Sequence, residues 1–147
     1  MPSPSWPRNG PLIAIVDTGP LYAAVDADDM DHARCIAAMS RPGLRLVIPA
    51  MVVAEATYLI GARMGPKTEA AFLRSLRGLR IEVPRPEDLD RMGELVVQYA
   101  DFPLGGTDAA VVALAERLGT DLVLSLDRRH MLAVRMKSGG SLRVQPE

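Results

Sequence analysis

The chain has 147 residues, enough for one domain with a proper core and too few for two. Its 48% hydrophobic and 24% charged residues are those of an ordinary globular protein, and with only 4% aromatic residues the core must be built from Val, Leu, Ile, Ala and Met. The net charge of −1 lacks the basic excess of a typical nucleic-acid binder, and one cysteine excludes an internal disulfide framework. No apolar run approaches the ~20 residues that span a bilayer, and LIAIV before Asp17 is too short for a signal-peptide core, so a cytoplasmic protein with no membrane contact is expected.

Residues 1–11 (MPSPSWPRNGP) are rich in Pro and Ser and read as a flexible tail, leaving 12–147 as a single domain. Leu12 to Val16 is a short apolar run that stops at Asp17-Thr18-Gly19-Pro20, the pattern of a buried parallel strand turning into a helix. Pro20 suits the first helical turn. Asp28 to Ser40 reads as a second helix, with Ala33, Ile36, Ala37 and Met39 on its apolar side and Pro42-Gly43 as its stop. Cys35 in that segment reads as a small buried hydrophobe rather than a reactive thiol.

Arg45 to Ile48 is a strand, and Pro49 opens a long helix through Arg63. Helices follow over Lys67 to Arg77 and Glu87 to Ala100, with a strand at Arg80 to Val83 between them. After Gly105-Gly106 comes a helix from Thr107 to Leu118, then a strand from Asp121 to Leu126 ending in Asp127-Arg128-Arg129-His130. Ser141 to Val144 is a candidate fifth strand. Short apolar strands alternating with helices imply an α/β fold, a three-layer α/β/α sandwich around a mostly parallel sheet.

Four carboxylates stand out because they interrupt apolar, element-ending sequence: Asp17, Glu55, Asp108 and Asp127. Each has a structural reading. Asp17 and Asp127 suit helix caps, and Asp108 suits the positive end of a helix dipole. Glu55 is harder to excuse, since Val52 to Ile60 holds no other charge. In parallel α/β sheets ligands bind beyond the carboxyl ends of the strands. Asp17 and Asp127 each follow a strand there, and Asp108 begins a helix on the same kind of edge. Carboxylates gathered in one place repel one another until a cation arrives, so the pattern points to a divalent-metal site and to metal-assisted chemistry on phosphates. His32 and His130 are isolated and no His/Cys spacing suits zinc, which leaves a hard, oxygen-preferring ion such as Mg²⁺ or Mn²⁺. Gly105-Gly106 has neither dinucleotide-binding nor P-loop spacing. Setting those four negative charges aside leaves the rest of the chain at +3, so net charge does not exclude an RNA partner.

These residues resemble the PIN-domain ribonucleases, most closely the VapC-like toxins of type II toxin–antitoxin pairs. The likeness is carried by IVDTGPLYA, DDMDHARC, VIPAMVVAEATYLI and, most specifically, YADFPLGGTDAAVVALAERLGTDLVLSLDRRHM, together spanning Leu12 to Met131. The resemblance implies a five-stranded sandwich whose acidic pocket holds Mg²⁺ or Mn²⁺ and cuts structured RNA, a transfer or ribosomal RNA. It makes Asp17, Glu55, Asp108 and Asp127 the catalytic and metal-binding quartet. Asp101 matches an additional acidic position, and Thr18 and Ser125 are hydroxyl neighbours that assist through a water. It further implies a VapB-like antitoxin partner and a homodimer formed through the early helices. Gly106 and Met131 depart from the family pattern, where a larger apolar residue and an aromatic are common.

Metal-activated water would leave a 5′-phosphate and a 3′-hydroxyl. Arg128 and Arg129, directly after Asp127, are the best-placed basic residues for RNA; Arg34, Arg63, Lys67 and Arg74 are weaker candidates. Three other readings compete. A receiver-like signalling domain would need paired acids after the first strand, and an aspartyl phosphatase would need Asp-x-Asp; Asp17-Thr18-Gly19 supplies neither. A silent RNA- or protein-binding module with the same fold would keep the acids without turnover.

Overall fold

The computed structural model describes residues 11–147; the tail expected over 1–11 lies outside the described residues except for Pro11. In chain order the elements are β1 (Leu12–Val16), α1 (Thr18–Val25), α2 (His32–Met39), β2 (Leu44–Pro49), α3 (Ala50–Met64), α4 (Pro66–Ser75), β3 (Arg80–Glu82), α5 (Pro86–Gln98), α6 (Gly106–Arg117), β4 (Leu122–Leu124), α7 (Arg128–Ala133) and β5 (Arg143–Gln145).

The five strands form one sheet in the order β3-β2-β1-β4-β5, and every pairing is parallel. A parallel sheet needs both faces covered, which explains why its strands are continuous apolar runs rather than alternating ones. Ala14, Ile15 and Val16 of β1, Val47 and Ile48 of β2, and Leu122 to Leu124 of β4 are all buried. Helix α6 packs against β1, β2 and β4 and carries α5, while α1 to α4 pack on one another, giving the three-layer α/β/α sandwich. The α6 run Ala109 to Ala115 is buried throughout, with Val111 and Val112 fully so. Burial of Val111, Val112 and Leu114 is worth about 1.5–3 kcal/mol each relative to exposure.

Glycine and proline set the boundaries the pattern predicts. Gly65, at φ +86°, ends α3 and lets Pro66 open α4 in one turn. Pro86 opens α5, where the Asp88 carboxylate accepts the Arg85 N–H at 3.0 Å. Two expectations change. The second helix starts at His32, not Asp28, because Asp26 and Asp29 accept the N–H groups of Asp28 (3.1 Å) and Asp31 (2.8 Å) in Asx turns that compete with helix. Its expected apolar side is also rotated: Ala33, Ile36 and Ala37 are exposed, and Cys35 is the fully buried residue.

Among the described residues no helix is long and apolar enough to cross a membrane.

Candidate metal centre

The carboxyl ends of β1 and β4 lie side by side, and the site is built on the residues just beyond them. The Asp17 N–H donates to the Leu124 carbonyl at 2.8 Å, so the residue after β1 is stitched to the end of β4. Its side chain is then claimed twice. Oδ1 accepts the Thr18 N–H at 2.8 Å as the cap of α1, and Oδ2 accepts the Ser125 hydroxyl at 2.7 Å. Ser125 Oγ in turn accepts the Asp127 N–H at 3.0 Å. Buried Ser125 is therefore a relay that fixes Asp17 and Asp127 relative to one another. Close approach matters here: a Cβ added at Gly19 would lie 3.1 Å from Leu126 Cβ, so a larger residue would require the turn after β4 to give by a few tenths of an ångström.

Asp108 enters from the first turn of α6, and Glu55 from the exposed side of α3. Asp17, Glu55, Asp108 and Asp127 all line one open cleft of about 610 Å³, together with Thr18, Gly19, Leu59, Gly105, Gly106, Thr107 and Leu126. The electrostatics register their proximity. Burial raises the Asp17 carboxyl, the hydrogen bonds from Ser125 and Thr18 hold it down, and the charges of Glu55 and Asp127 raise it again. Asp108 is pushed up to about 6 by burial and then by the charges of Asp17 and Asp127, against the backbone of Gly105 and the His130 ring.

Does this donor set suit a divalent cation? The groups are hard oxygens of like charge, the chemistry that Mg²⁺ or Mn²⁺ prefers. Thr18 Oγ1 is buried in the cleft wall with no hydrogen-bond partner among the described residues, a polar atom that a ligand or its water can satisfy. Among the described residues, however, no three His, Cys, Asp or Glu side chains form a ready-made cage. The four carboxylates share a cleft without converging on one point, as like charges do. The residues fit the group through the cleft rather than through a closed cage, and Mg²⁺ keeps several waters in such sites.

The other candidates separate. Thr18 lines the cleft, and Ser125 is buried behind it, bonded to Asp17. Asp101 is exposed in the turn after α5 and is not among the residues lining the cleft. Arg128 is half-buried, and its Nη1 donates to the carbonyls of Val144 (2.6 Å) and Pro146 (3.3 Å), tying α7 to the end of the chain. Arg34 is likewise engaged, by Asp31 at 2.6 Å and by the Glu147 carbonyl at 2.9 Å. Arg129 is exposed, with its guanidinium 5.1 Å from the centre of the Phe102 ring.

Two residues of the site's surroundings have no place in the sequence reading. His130, which looks isolated in sequence, places Nδ1 2.8 Å from Asp127 Oδ1, and its ring lies 4.6 Å from that of Phe102. The Asp-x-x-His spacing on one helical turn is the signal that could have found it. Phe102 has none, because a loop aromatic carries no periodicity.

A family model described as the PIN domain matches residues 14–135. Ribonuclease VapC26 from Mycobacterium tuberculosis is 38% identical over 134 residues, which cover 90% of this chain and 99% of that protein. Among solved structures, VapC20 from the same organism, described as a Sarcin-Ricin loop cleaving toxin, matches with TM-score 0.72 at 21% identity, covering 91% of this chain and 99% of that one. VapBC2 from Rickettsia felis, solved bound to a DNA fragment from its promoter, matches with TM-score 0.66 at 14% identity over 91% of this chain and 98% of that one.

Proposed function

Because this chain belongs to the PIN-domain family, we propose that it is a divalent-metal-dependent endoribonuclease and the toxin of a VapBC-type toxin–antitoxin pair. The observation that carries the reading is the gathering of Asp17, Glu55, Asp108 and Asp127 on one cleft at the carboxyl edge of the sheet. That edge is where this class of fold binds its ligands.

Asp17, Asp108, Asp127 and Glu55 would hold Mg²⁺, or Mn²⁺ in its place. A bound ion supplies a water of lowered pKa and charge stabilisation for the phosphate under attack. The chain's own residues do the rest. Ser125 and the Thr18 N–H oppose the burial that raises the Asp17 carboxyl, and they fix the direction of its two oxygens. His130 restrains Asp127. Glu55, exposed at the cleft edge and without a cationic partner among the described residues, orients the attacking water. The products then carry a 5′-phosphate and a 3′-hydroxyl, the leaving group being the 3′-oxygen of the neighbouring ribose.

The substrate is a structured RNA, a transfer or ribosomal RNA, met in the cytoplasm. Few aromatics line the site, so recognition rests on RNA shape and a short loop sequence rather than on extensive stacking. A VapB-like antitoxin covers the acidic cleft in the resting pair, and the toxin acts as a homodimer.

Cleavage of a labelled transfer-RNA pool tests this, with Mg²⁺, with chelator, and with Asp17→Asn alongside. Discrete cuts that need metal, vanish in the variant and bear 5′-phosphates are expected. Ends carrying 2′,3′-cyclic phosphate would reject the scheme. A folded, metal-binding chain that cuts neither transfer nor ribosomal RNA would instead be a binding module.

A further inference from the structure

Among the described residues, several arginines are spent on protein groups. Arg91 pairs with Glu116 at 2.8 Å, Arg117 with Asp88 at 2.8 Å, Arg143 with Asp121 at 2.7 Å, and Arg128 with backbone carbonyls. Arg129 and Arg63 are exposed and have no side-chain hydrogen bond or ion pair among the described residues, and each lies over an aromatic ring, Phe102 at 5.1 Å and Tyr22 at 5.2 Å. Of the two, Arg129 stands two positions beyond Asp127, at the start of α7. A guanidinium two residues from a carboxylate is free to fold back onto it and lose its charge to the pair. Stacking on an aromatic face restrains the group while leaving its charge and N–H edges unspent. The same ring contacts His130, the partner of Asp127. Phe102 belongs to the turn between α5 and α6, and Tyr99 Oη at the end of α5 accepts the Arg135 N–H at 2.9 Å. That turn is thus clasped to α7 and to the chain just beyond it, and it leads directly into Gly105 and Gly106 of the cleft wall.

We propose that Phe102 is a positioning residue that presents Arg129 at the lip of the acidic cleft as the grip for a backbone phosphate of the RNA flanking the one that is cut. The cleft itself repels the polyanion, and one pre-oriented cation at its edge sets where the strand enters. A planar fork suits phosphate oxygens, whereas a ring that only stacks leaves sequence unread, so the pair acts on register rather than on base identity.

The inference rests on the nuclease reading, and the test separates the two. The RNA cut by the wild-type chain is bound to the non-cutting Asp17→Asn protein, with and without Arg129→Ala, Phe102→Leu and both together, across a salt series. Arg129→Ala is expected to weaken binding about tenfold and to reduce the dependence of log affinity on log salt by about 0.7, one phosphate contact on a single strand. Phe102→Leu is expected to weaken binding as well but to add nothing once Arg129 is gone, and Phe102→Tyr to restore it. In the cutting protein both variants raise KM more than they lower kcat. An unchanged salt slope in Arg129→Ala, or additive losses in the double variant, overturns the proposal. Melting curves identify a variant that merely fails to fold, and Phe102→Tyr then carries the comparison. A wild-type chain that cuts no RNA removes the nuclease reading and this inference with it; normal cutting with Arg129→Ala indistinguishable from wild type removes this inference alone.

Discussion

Ser125 donates its hydroxyl to Asp17 Oδ2 at 2.7 Å, joining residues 108 positions apart in sequence at the floor of the acidic cleft. The Ser125 oxygen also accepts the Asp127 N–H. One buried hydroxyl therefore holds the Asp17 carboxylate and the Asp127 backbone together, and it does so by satisfying a donor and an acceptor rather than by adding charge. The contact exists because β1 and β4 are neighbours in a parallel sheet, in register Ile15 to Val123 and Val16 to Leu124.

Asp17→Asn should abolish metal-dependent cutting while leaving the fold intact. The amide oxygen can still accept the Thr18 N–H, and the change removes a buried negative charge that Glu55 and Asp127 push against. A melting temperature in chelator equal to or above that of wild type is expected. A variant that unfolds would make Asp17 a structural residue and weaken its assignment as a ligand.

Ser125→Ala should cost about 1–3 kcal/mol, the range for stranding a buried donor and weakening a bond to a charged group. The stranded donor is the Asp127 N–H, and Asp17 loses the strongest influence holding its carboxyl down. Metal affinity, read by titration calorimetry with Mn²⁺, should fall together with cleavage. Retained affinity and stability would mean that the relay has no energetic weight.

The Asp108 carboxyl sits at about 6 instead of 3.8, so the fold favours its protonated form. A raised folded value contributes stability that is complete below the ordinary value and lost as pH rises through the raised one. In chelator, wild type should lose about 1 kcal/mol relative to Asp108→Asn between about pH 4 and neutrality, after discounting for the partial exposure of the group. Metal binding runs the other way, because the proton competes with the ion. Affinity for Mn²⁺ and cleavage in Mg²⁺ should both rise through about pH 6. Flat profiles across that range would show that Asp108 is not a ligand.

Arg128→Ala should destabilise the chain by about 1–2 kcal/mol through loss of its charged hydrogen bonds to Val144 and Pro146, and leave KM for RNA unchanged. Thermal melts and steady-state kinetics on the same preparation decide this. A raised KM with unaltered stability would return Arg128 to the RNA-contacting role its position in the sequence suggests.

Local sequence determined a good deal. Apolar runs without alternation require a parallel sheet, and Gly65-Pro66 and Pro86 place helix boundaries through backbone geometry that needs no tertiary partner. The four acids were conspicuous because each breaks an apolar pattern in its own neighbourhood. What the chain could not announce were relationships between segments. The Asp26 to Asp31 turns moved the start of the second helix from the expected Asp28 to His32, because side-chain oxygens reached backbone N–H groups first. Which face of α2 is buried depended on what packs there, and Cys35 rather than Ile36 met the core. Arg128 and Arg129 are adjacent and chemically identical, yet one faces the carbonyls of the last strand and the other the ring of Phe102. Successive residues on a helix point about 100° apart, so neighbours in sequence meet different surroundings, and only the folded chain decides which surroundings those are.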